Sequence, residues 1–427
     1  MLADLDSSLD SSARPLESPE ALRSKNGSIN AHLQTYDVVI VGGGIVGLTC
    51  ACSLRNSGLQ IAVIEAQTAE HAAGRQRAYA FSPVSASILK GLGLWERVGP
   101  QLTHFQRVKL SDADYPKAIT FRPQDGRSDA VYYSAEHTVL MAALQEAVRA
   151  AKNVDYWCES QIVETESATA LIVERQGQQY RFQTQLLIGA DGARSWVRNL
   201  ANIKTVGWKY WQSCITAVLK PERPHCNTAY EKFWPSGPFA ILPLPNNHCQ
   251  IVWTAPHEEA EALLNLPEAA FLQALQARYG SDMGALTLVN KPAMFPVQLM
   301  QSREYVRAGI ALIGDAAHCC HPVGGQGLNM GIRDATALAE VLQQAASRGE
   351  NIGSLIVLKR YQRWRRTENW FTLSLTDLLN RSFSNRFLPL LISRRAGIWI
   401  LDSVGPLKRL ILQLMTGFFG RLPLKAR

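Results

Sequence analysis

Several features are scarce or missing in this 427-residue chain, and each absence narrows what it can be. Cysteine is sparse: eight residues, at 50, 52, 158, 214, 226, 249, 319 and 320, with no C-x-x-C pair. No spacing resembles a disulfide framework, which excludes a stapled secreted module and points to a reducing compartment. No uncharged apolar run of about 18 residues occurs, so a membrane-spanning helix is not expected. The N-terminus, MLADLDSSLDSSARPLESPEALRSKNGS, has neither a positive n-region nor an apolar core, which excludes a secretory signal. Residues 1–35 read instead as a disordered polar leader. Acidic residues run short only at the other end. Residues 359–427 hold 14 Lys+Arg against 3 Asp+Glu, whereas the remainder holds 30 against 33. The net charge of +8 is therefore a property of the tail, where basic residues interleave with apolar ones. That pattern argues against a nucleic-acid surface.

What is present is ordinary globular material. With 47% hydrophobic and 19% charged residues over this length, two or three domains are expected, and no internal repeat appears. The first strong signal starts at Tyr36. In Asp37 to Val41 the four residues after the aspartate form a short, continuously apolar run, as suits a strand buried on both faces. Gly42, Gly44 and Gly47 then form G-x-G-x-x-G, a helix is predicted from Leu48 to Ser57, and Gly58 ends it. Ile61 to Ile64 makes a second buried strand ending at Glu65, 18 residues beyond Gly47. Glycines let the backbone turn tightly against a pyrophosphate, the helix N-terminus offers amide donors, and the acid suits a ribose hydroxyl. This unit binds a dinucleotide, and by itself does not separate NAD from FAD.

Two later segments repeat the device of an apolar strand delivering an aspartate to a loop. Leu186 to Gly189 runs into Asp191-Gly192-Ala193-Arg194-Ser195-Trp196-Val197-Arg198. Ile310 to Ile313 runs into Gly314-Asp315, followed by His321-Pro322-Val323-Gly324-Gly325-Gln326-Gly327-Leu328-Asn329 and a predicted helix from Leu328 to about Gln344. A glycine-rich turn opening a helix can aim amides at an anionic ring or phosphate.

With these three fingerprints in order, residues 36–385 resemble the class A flavoprotein aromatic monooxygenases, the p-hydroxybenzoate hydroxylase type. Arg77-Ala78, Leu92 to Trp95, Gly237 to Leu244 and His321 to Asn329 make the chain most similar to the ubiquinone-biosynthesis hydroxylases. The resemblance implies an α/β fold: a discontinuous, Rossmann-like FAD-binding domain, a β-sheet substrate domain and C-terminal helices. It implies FAD as cofactor and NAD(P)H as co-substrate, with no second Rossmann domain; none is visible. Gly42, Gly44, Gly47 and Glu65 would hold the ADP half of FAD, and Arg77 would lie near the pyrophosphate or the entrance. Asp191 and Gly192 would contact FAD and NAD(P)H, and Gly314 and Asp315 the ribityl or pyrophosphate region. Pro322, Gly325 and Gln326, with Gly327, Leu328 and Asn329, would lie against the isoalloxazine ring. The implied reaction is O2-dependent hydroxylation of a lipid-soluble, polyprenylated phenol in ubiquinone or prenylquinone biosynthesis, through a flavin C4a-hydroperoxide.

The cofactor carries the hard chemistry in such a reaction, so no side-chain nucleophile or metal is expected. His318-Cys319-Cys320-His321 has consecutive residues rather than separated ligand pairs and is not read as a metal site. Cys50 and Cys52 read as packing residues in one helix. Gly207-Trp208-Lys209-Tyr210-Trp211 superficially resembles a flavin-halogenase motif, lacks its second half, and reads as the start of a strand. No substrate base can be assigned; His137, Tyr210 and His318 are weak candidates with structural roles as the simpler reading.

The expected organisation is a leader (1–35), FAD-binding segments 36–110, 136–206 and 301–350, substrate-sheet segments 111–135 and 207–300, and a helical, basic, amphipathic tail (351–427). Gln250 to Thr254 is predicted to lie in a half-buried sheet. In the tail, Leu407, Leu410, Ile411, Leu414, Met415 and Phe418 follow helical spacing with Arg409, Gln413 and Thr416 opposite. With Trp399, Phe418 and Phe419 nearby, residues 386–427 suit peripheral membrane contact, cytoplasmic in location, against the simpler reading of a helix packed on the body or on a dimer partner. A homodimer or a quinone-synthesis complex is compatible. Two other function classes stay open: a flavin-dependent prenyl reductase, and a non-catalytic flavin- or lipid-binding subunit.

Overall fold

The computed structural model describes residues 32–427 apart from Asp114 and Phe419, so most of the expected leader lies outside the described residues. Residues 32–35 do not belong to a leader. They extend the first strand, His32–Val41, because their backbone pairs in parallel with Tyr180 to Gln183. That strand sits between Gln178–Gly189 and Ile61–Ile64, and the parallel row continues to Ile310–Leu312 on one side and Val154–Trp157 on the other. Val38, Val39, Ile40 and all of Ile61 to Ile64 are buried, as a sheet covered on both faces requires. Helices Ile45–Leu54 and Gln326–Ser347 pack on each other beside it. Both helices begin earlier than the sequence suggested, directly at the glycine-rich turns that precede them.

This topology positions the site. The glycine turn, Glu65, Asp191 and Asp315 all follow the carboxyl ends of parallel strands, where open α/β sheets bind ligands.

A second, nine-stranded sheet runs in the order Ala293–Ser302, Thr205–Pro221, His248–Pro256, Gly237–Leu244, Thr228–Trp234, Arg107–Asp112, Ala118–Phe121, with short strands at its margins. Its first pair of strands spans residues 107–121 rather than 111–135. Tyr133–Glu136 instead joins Ala78–Phe81 and Thr103–His104 in a separate three-stranded sheet, since its backbone pairs with both. The Trp208 segment does form strand, inside Thr205–Pro221. The Gln250 segment is covered on both faces: Ile251 and Trp253 pack with Phe271 and Leu275 of helix Glu268–Tyr279, while Gln250 and Val252 face the cavity described below.

The tail forms three helices, Leu355–Phe383, Leu388–Ser403 and Gly405–Thr416. They fold back onto the body. The Tyr361 hydroxyl donates to the Leu312 carbonyl (2.8 Å), Arg421 pairs with Glu340 (2.6 Å), and the Leu424 amide donates to Glu340 (2.8 Å). In the last of these helices Leu412 and Thr416 are the buried residues, so Thr416 lies at the docked face rather than opposite it. Its hydroxyl returns a bond to the Leu412 carbonyl (2.7 Å), which lets a threonine sit inside. The exposed apolar side chains lie mainly one helix earlier: Phe387, Leu388, Ile392, Trp399 and Ile400. Among the described residues no helix is long and apolar enough to cross a membrane.

Candidate active site

A cavity of about 450 Å³ lies between the carboxyl edge of the parallel sheet and the inner face of the nine-stranded sheet. Its polar end is built by Gly44, Arg77, Gly192 and Asp315, and its apolar end by Phe105, Val108, Ala229, Leu242 and Met415. Pro322, Gly325, Gln326, Gly327 and Leu328 form the wall between them. Gly42, Gly47, Glu65, Asp191, Gly314 and Asn329 stand behind this lining and shape it.

Two glycines show why no other residue serves. Gly42 has φ of +106°, and a Cβ there would sit 2.5 Å from the Ala190 carbonyl oxygen. A Cβ on Gly47 would fall 1.9 Å from the Gly42 carbonyl oxygen. By contrast a Cβ on Gly44 meets nothing within 4 Å: this position opens into the cleft. The Glu65 carboxylate accepts from the Gly43 amide (2.9 Å) and the Gln67 amide (3.0 Å), holding the turn while keeping lone pairs for a ribose hydroxyl.

Asp315 is exposed into the cavity, and desolvation by the walls of the cleft raises its carboxyl pKa against the lowering influence of His318 and Arg77. No protein hydrogen bond to its side chain is present among the described contacts. Asp191 accepts from the Val197 amide (3.1 Å) through one oxygen; the other is buried without a partner, and desolvation raises its pKa too. A buried Asp191 oxygen without a partner and an open Asp315 carboxylate, beside a glycine turn open to the cleft, fit a ligand bearing hydroxyls and a pyrophosphate. Arg77 is exposed toward the cavity, its guanidinium 5.0 Å from the Phe295 ring and 5.4 Å from the Tyr79 ring, rather than in a buried salt bridge. Arg198 is buried and donates to the Ala193 (2.8 Å) and Ala316 (2.9 Å) carbonyls, tying the two aspartate loops together.

Behind Asp315 lies a charged network. Asp334 takes His318 Nε2 (2.5 Å) and the Gly314 amide (3.2 Å) on one oxygen and Arg365 (2.8 Å) on the other. Burial opposes its ionisation, yet the charges of His318 and Arg365 hold its carboxyl well below the usual range. Arg365 also pairs with Glu368 and donates to Asn369 (2.7 Å). The network anchors the Gly314–Asp315 turn to the long tail helix.

The loop against the cavity contains two left-handed glycines, Gly324 (φ +64°) and Gly325 (φ +60°). The Gln326 side chain donates to the Tyr132 hydroxyl (3.1 Å) and to the Met415 carbonyl (3.0 Å), joining the loop to the last tail helix. Asn329 is buried and fully bonded: it accepts from the Ser82 amide (2.8 Å) and Ser85 hydroxyl (2.7 Å) and donates to the Ala80 carbonyl (2.9 Å). Its side chain holds the turn in place.

The three candidate bases have other partners. His318 faces Asp334 away from the cavity, and the Tyr210 hydroxyl donates to Asp377 (2.6 Å). His137 reaches the rim, but one ring nitrogen meets the Ala72 carbonyl (2.8 Å) and the other the Tyr79 hydroxyl (3.1 Å), and burial lowers its pKa. His321 is bonded to Gln212 (3.3 Å), its pKa lowered to about 3 by burial. Sequence reasoning passed over Glu231, which lines the cavity from strand Thr228–Trp234. The available signal was alternation: Ala229, Glu231 and Phe233 share one face, and an acid among two apolar residues marks a place where a charge is kept inside.

Residues 35–374 match the FAD binding domain family. The chain is 48% identical to the Synechocystis protein slr1300, over 91% of this chain and 94% of that one. It is 35% identical to the 3-demethoxyubiquinol 3-hydroxylase of Escherichia coli, over 90% of this chain and 99% of that one. Its fold resembles the p-nitrophenol 4-monooxygenase PnpA of Pseudomonas putida, with a TM-score of 0.77 at 20% identity, covering 91% of this chain and 99% of that one.

Proposed function

The chain belongs to this family of FAD-binding aromatic monooxygenases, and we propose that it hydroxylates the ring of a polyprenylated phenol on the way to ubiquinone or a related prenylquinone. The observation that carries the proposal is a single cavity with two unlike ends. The polar end presents the open Asp315 carboxylate beside the Gly44 and Gly192 turns, and the apolar end is closed by the substrate sheet and the tail helix bearing Met415.

FAD bound there supplies hydride acceptance from NAD(P)H and delivery of one atom of O2 to the substrate. The protein's part is binding, orientation and exclusion of water. Gly44, Gly192 and Asp315 would receive the pyrophosphate and ribityl hydroxyls, with Gly42, Gly47, Glu65, Asp191 and Gly314 fixing the turns that aim them. Pro322, Gly325, Gln326, Gly327 and Leu328 would present backbone along the ring, on a loop held by the Asn329 and Gln326 bonds. Arg77 stands at the mouth, where an anionic co-substrate would arrive. Phe105, Val108 and Leu242 would cover the phenol and exclude water, which strengthens every polar contact at the reacting centre.

A substrate with a prenyl tail has to be drawn from a bilayer. The exposed apolar residues Phe387, Leu388, Ile392, Trp399 and Ile400, flanked by exposed Arg386 and Arg409, suit shallow insertion at an anionic surface. The expected result in cells lacking this protein is accumulation of a prenylated phenol one oxygen short of the next intermediate, read by mass spectrometry. An unchanged profile of prenylated phenols and quinones would contradict the substrate class.

A further inference from the structure

We propose that Glu231 is a catalytic residue that accepts the phenolic proton of the substrate, an inference that rests on the hydroxylase reading above. Among the described residues two carboxylates line the cavity, and they stand in different halves. Asp315 belongs to the polar end; Glu231 lies on the substrate sheet, opposite the glycine loop. Strand alternation puts Glu231 on the same face as Ala229, which lines the apolar half, and in register with Leu110 and Ala240 on the neighbouring strands.

Within this apolar setting the carboxylate has, among the described residues, one protein hydrogen bond, a long one from the Gly324 amide (3.4 Å). It is buried and has no ion pair among the described contacts. That single bond ties it to the loop along which the flavin ring would lie, so a phenol held between loop and sheet presents its hydroxyl within reach. An acid kept for structure would be paired or bonded more fully. Burial pushes its pKa up to about 7, with the Gly324 amide opposing, which is the range in which a carboxylate can both take and return a proton near neutrality.

The groups around it leave that proton acceptance to Glu231. Tyr132 faces the same cavity, but its hydroxyl donates to the Met415 carbonyl (2.5 Å), and burial raises its pKa. Arg333 lies beyond Tyr132 on the loop helix, bonded to the Asn329 carbonyl (3.3 Å). On the adjoining strand Asp112 is held by Arg394 and Arg395 (3.0 Å each), and Lys109 sits over the Tyr230 ring on the opposite face. Neither strand Gly237–Leu244 nor the glycine loop brings a charged side chain to the carboxylate.

In the step itself the phenolic O–H bond breaks and the proton moves to a Glu231 carboxylate oxygen. The electron pair stays on the phenolate oxygen, which makes the ring a stronger nucleophile. No oxidant or reductant is needed for this transfer.

The test compares FAD-loaded wild type with Glu231→Gln, an exchange that keeps shape and removes the proton acceptor. For wild type, kcat/KM for a prenylated phenol is expected to rise with pH through about 7 and then level. For Glu231→Gln the expected result is a tenfold or greater loss at pH 8, without that inflection. A second readout does not depend on turnover. Binding of 4-nitrophenol at pH 8, followed by calorimetry in two buffers of different ionisation enthalpy, should take up close to one proton in wild type and none in Glu231→Gln, because phenolate and carboxylate side by side must share a proton. If wild type hydroxylates and the variant keeps the same pH profile and the same proton uptake, the proposal is overturned and the hydroxylase reading stands. If wild type makes no hydroxylated product, the hydroxylase reading fails instead, and the proton uptake still decides whether Glu231 faces the phenol.

Discussion

Single side chains divide here between those that shape the cleft and those that face it, and substitutions should separate the two. Asp315 faces the cleft with no protein donor among the described residues, so Asp315→Ala should give folded protein with much weaker FAD retention, measured as flavin absorbance after gel filtration. Gly47→Ala acts differently, since its Cβ would strike the Gly42 carbonyl and deform the turn; loss of both flavin and thermal stability is expected. Glu231 carries a stability signature of its own. Its folded pKa, about 7, lies above the ordinary 4.5, so the folded state holds more protons and stability falls as pH rises from about 4.5 through 7. Glu231→Gln should therefore be more stable than wild type above pH 7, by up to about 3 kcal/mol, and equal to it near pH 4, in denaturant titrations. The glycines and aspartates were legible in the sequence because their chemistry depends on neighbours within about twenty residues. Glu231 was not, because its meaning depends on Gly324, which lies 93 positions away.

At the level of elements, the tail was half legible. Helical spacing marked Leu407 to Phe418 as amphipathic, but periodicity does not say whether an apolar stripe meets lipid or protein. Here Leu412 and Ile398 join a core with Phe105 and Phe121, and Met415 reaches the cavity. Deleting residues 386–427 would therefore open that core along with any membrane contact. Ile392→Asp with Trp399→Asp, both exposed, isolates the membrane question. Binding to anionic vesicles should fall at least tenfold while flavin content stays at the wild-type level, since each exchange removes about 1–3 kcal/mol of apolar partitioning. The long tail helix has a different duty. Asp334→Asn would leave the buried Arg365 with Glu368 as its one anionic partner among the described residues, and a loss of about 3–5 kcal/mol in unfolding free energy is expected. Wild-type stability should also decline in acid. The depressed Asp334 carboxyl contributes above the ordinary carboxylate range, and that contribution disappears as pH falls through its folded value.

For the molecule as a whole, function comes from bringing together segments far apart in the chain. Strands ending near residues 41, 64, 189 and 312 deliver their loops to one sheet edge, and the nine-stranded sheet closes over them. Each strand-to-loop motif was readable locally, whereas the pairing that sent 107–121 to one sheet and 133–136 to another is non-local and left no local trace. The most direct measurement follows from this joint cavity. FAD-loaded protein would be given NAD(P)H, a prenylated phenol and ¹⁸O2, and the product mass recorded. Incorporation of one ¹⁸O atom into the ring, with NAD(P)H oxidation rising on phenol addition, is the expected result. A product carrying two added hydrogens and no oxygen, or NAD(P)H oxidation indifferent to the phenol, would contradict it.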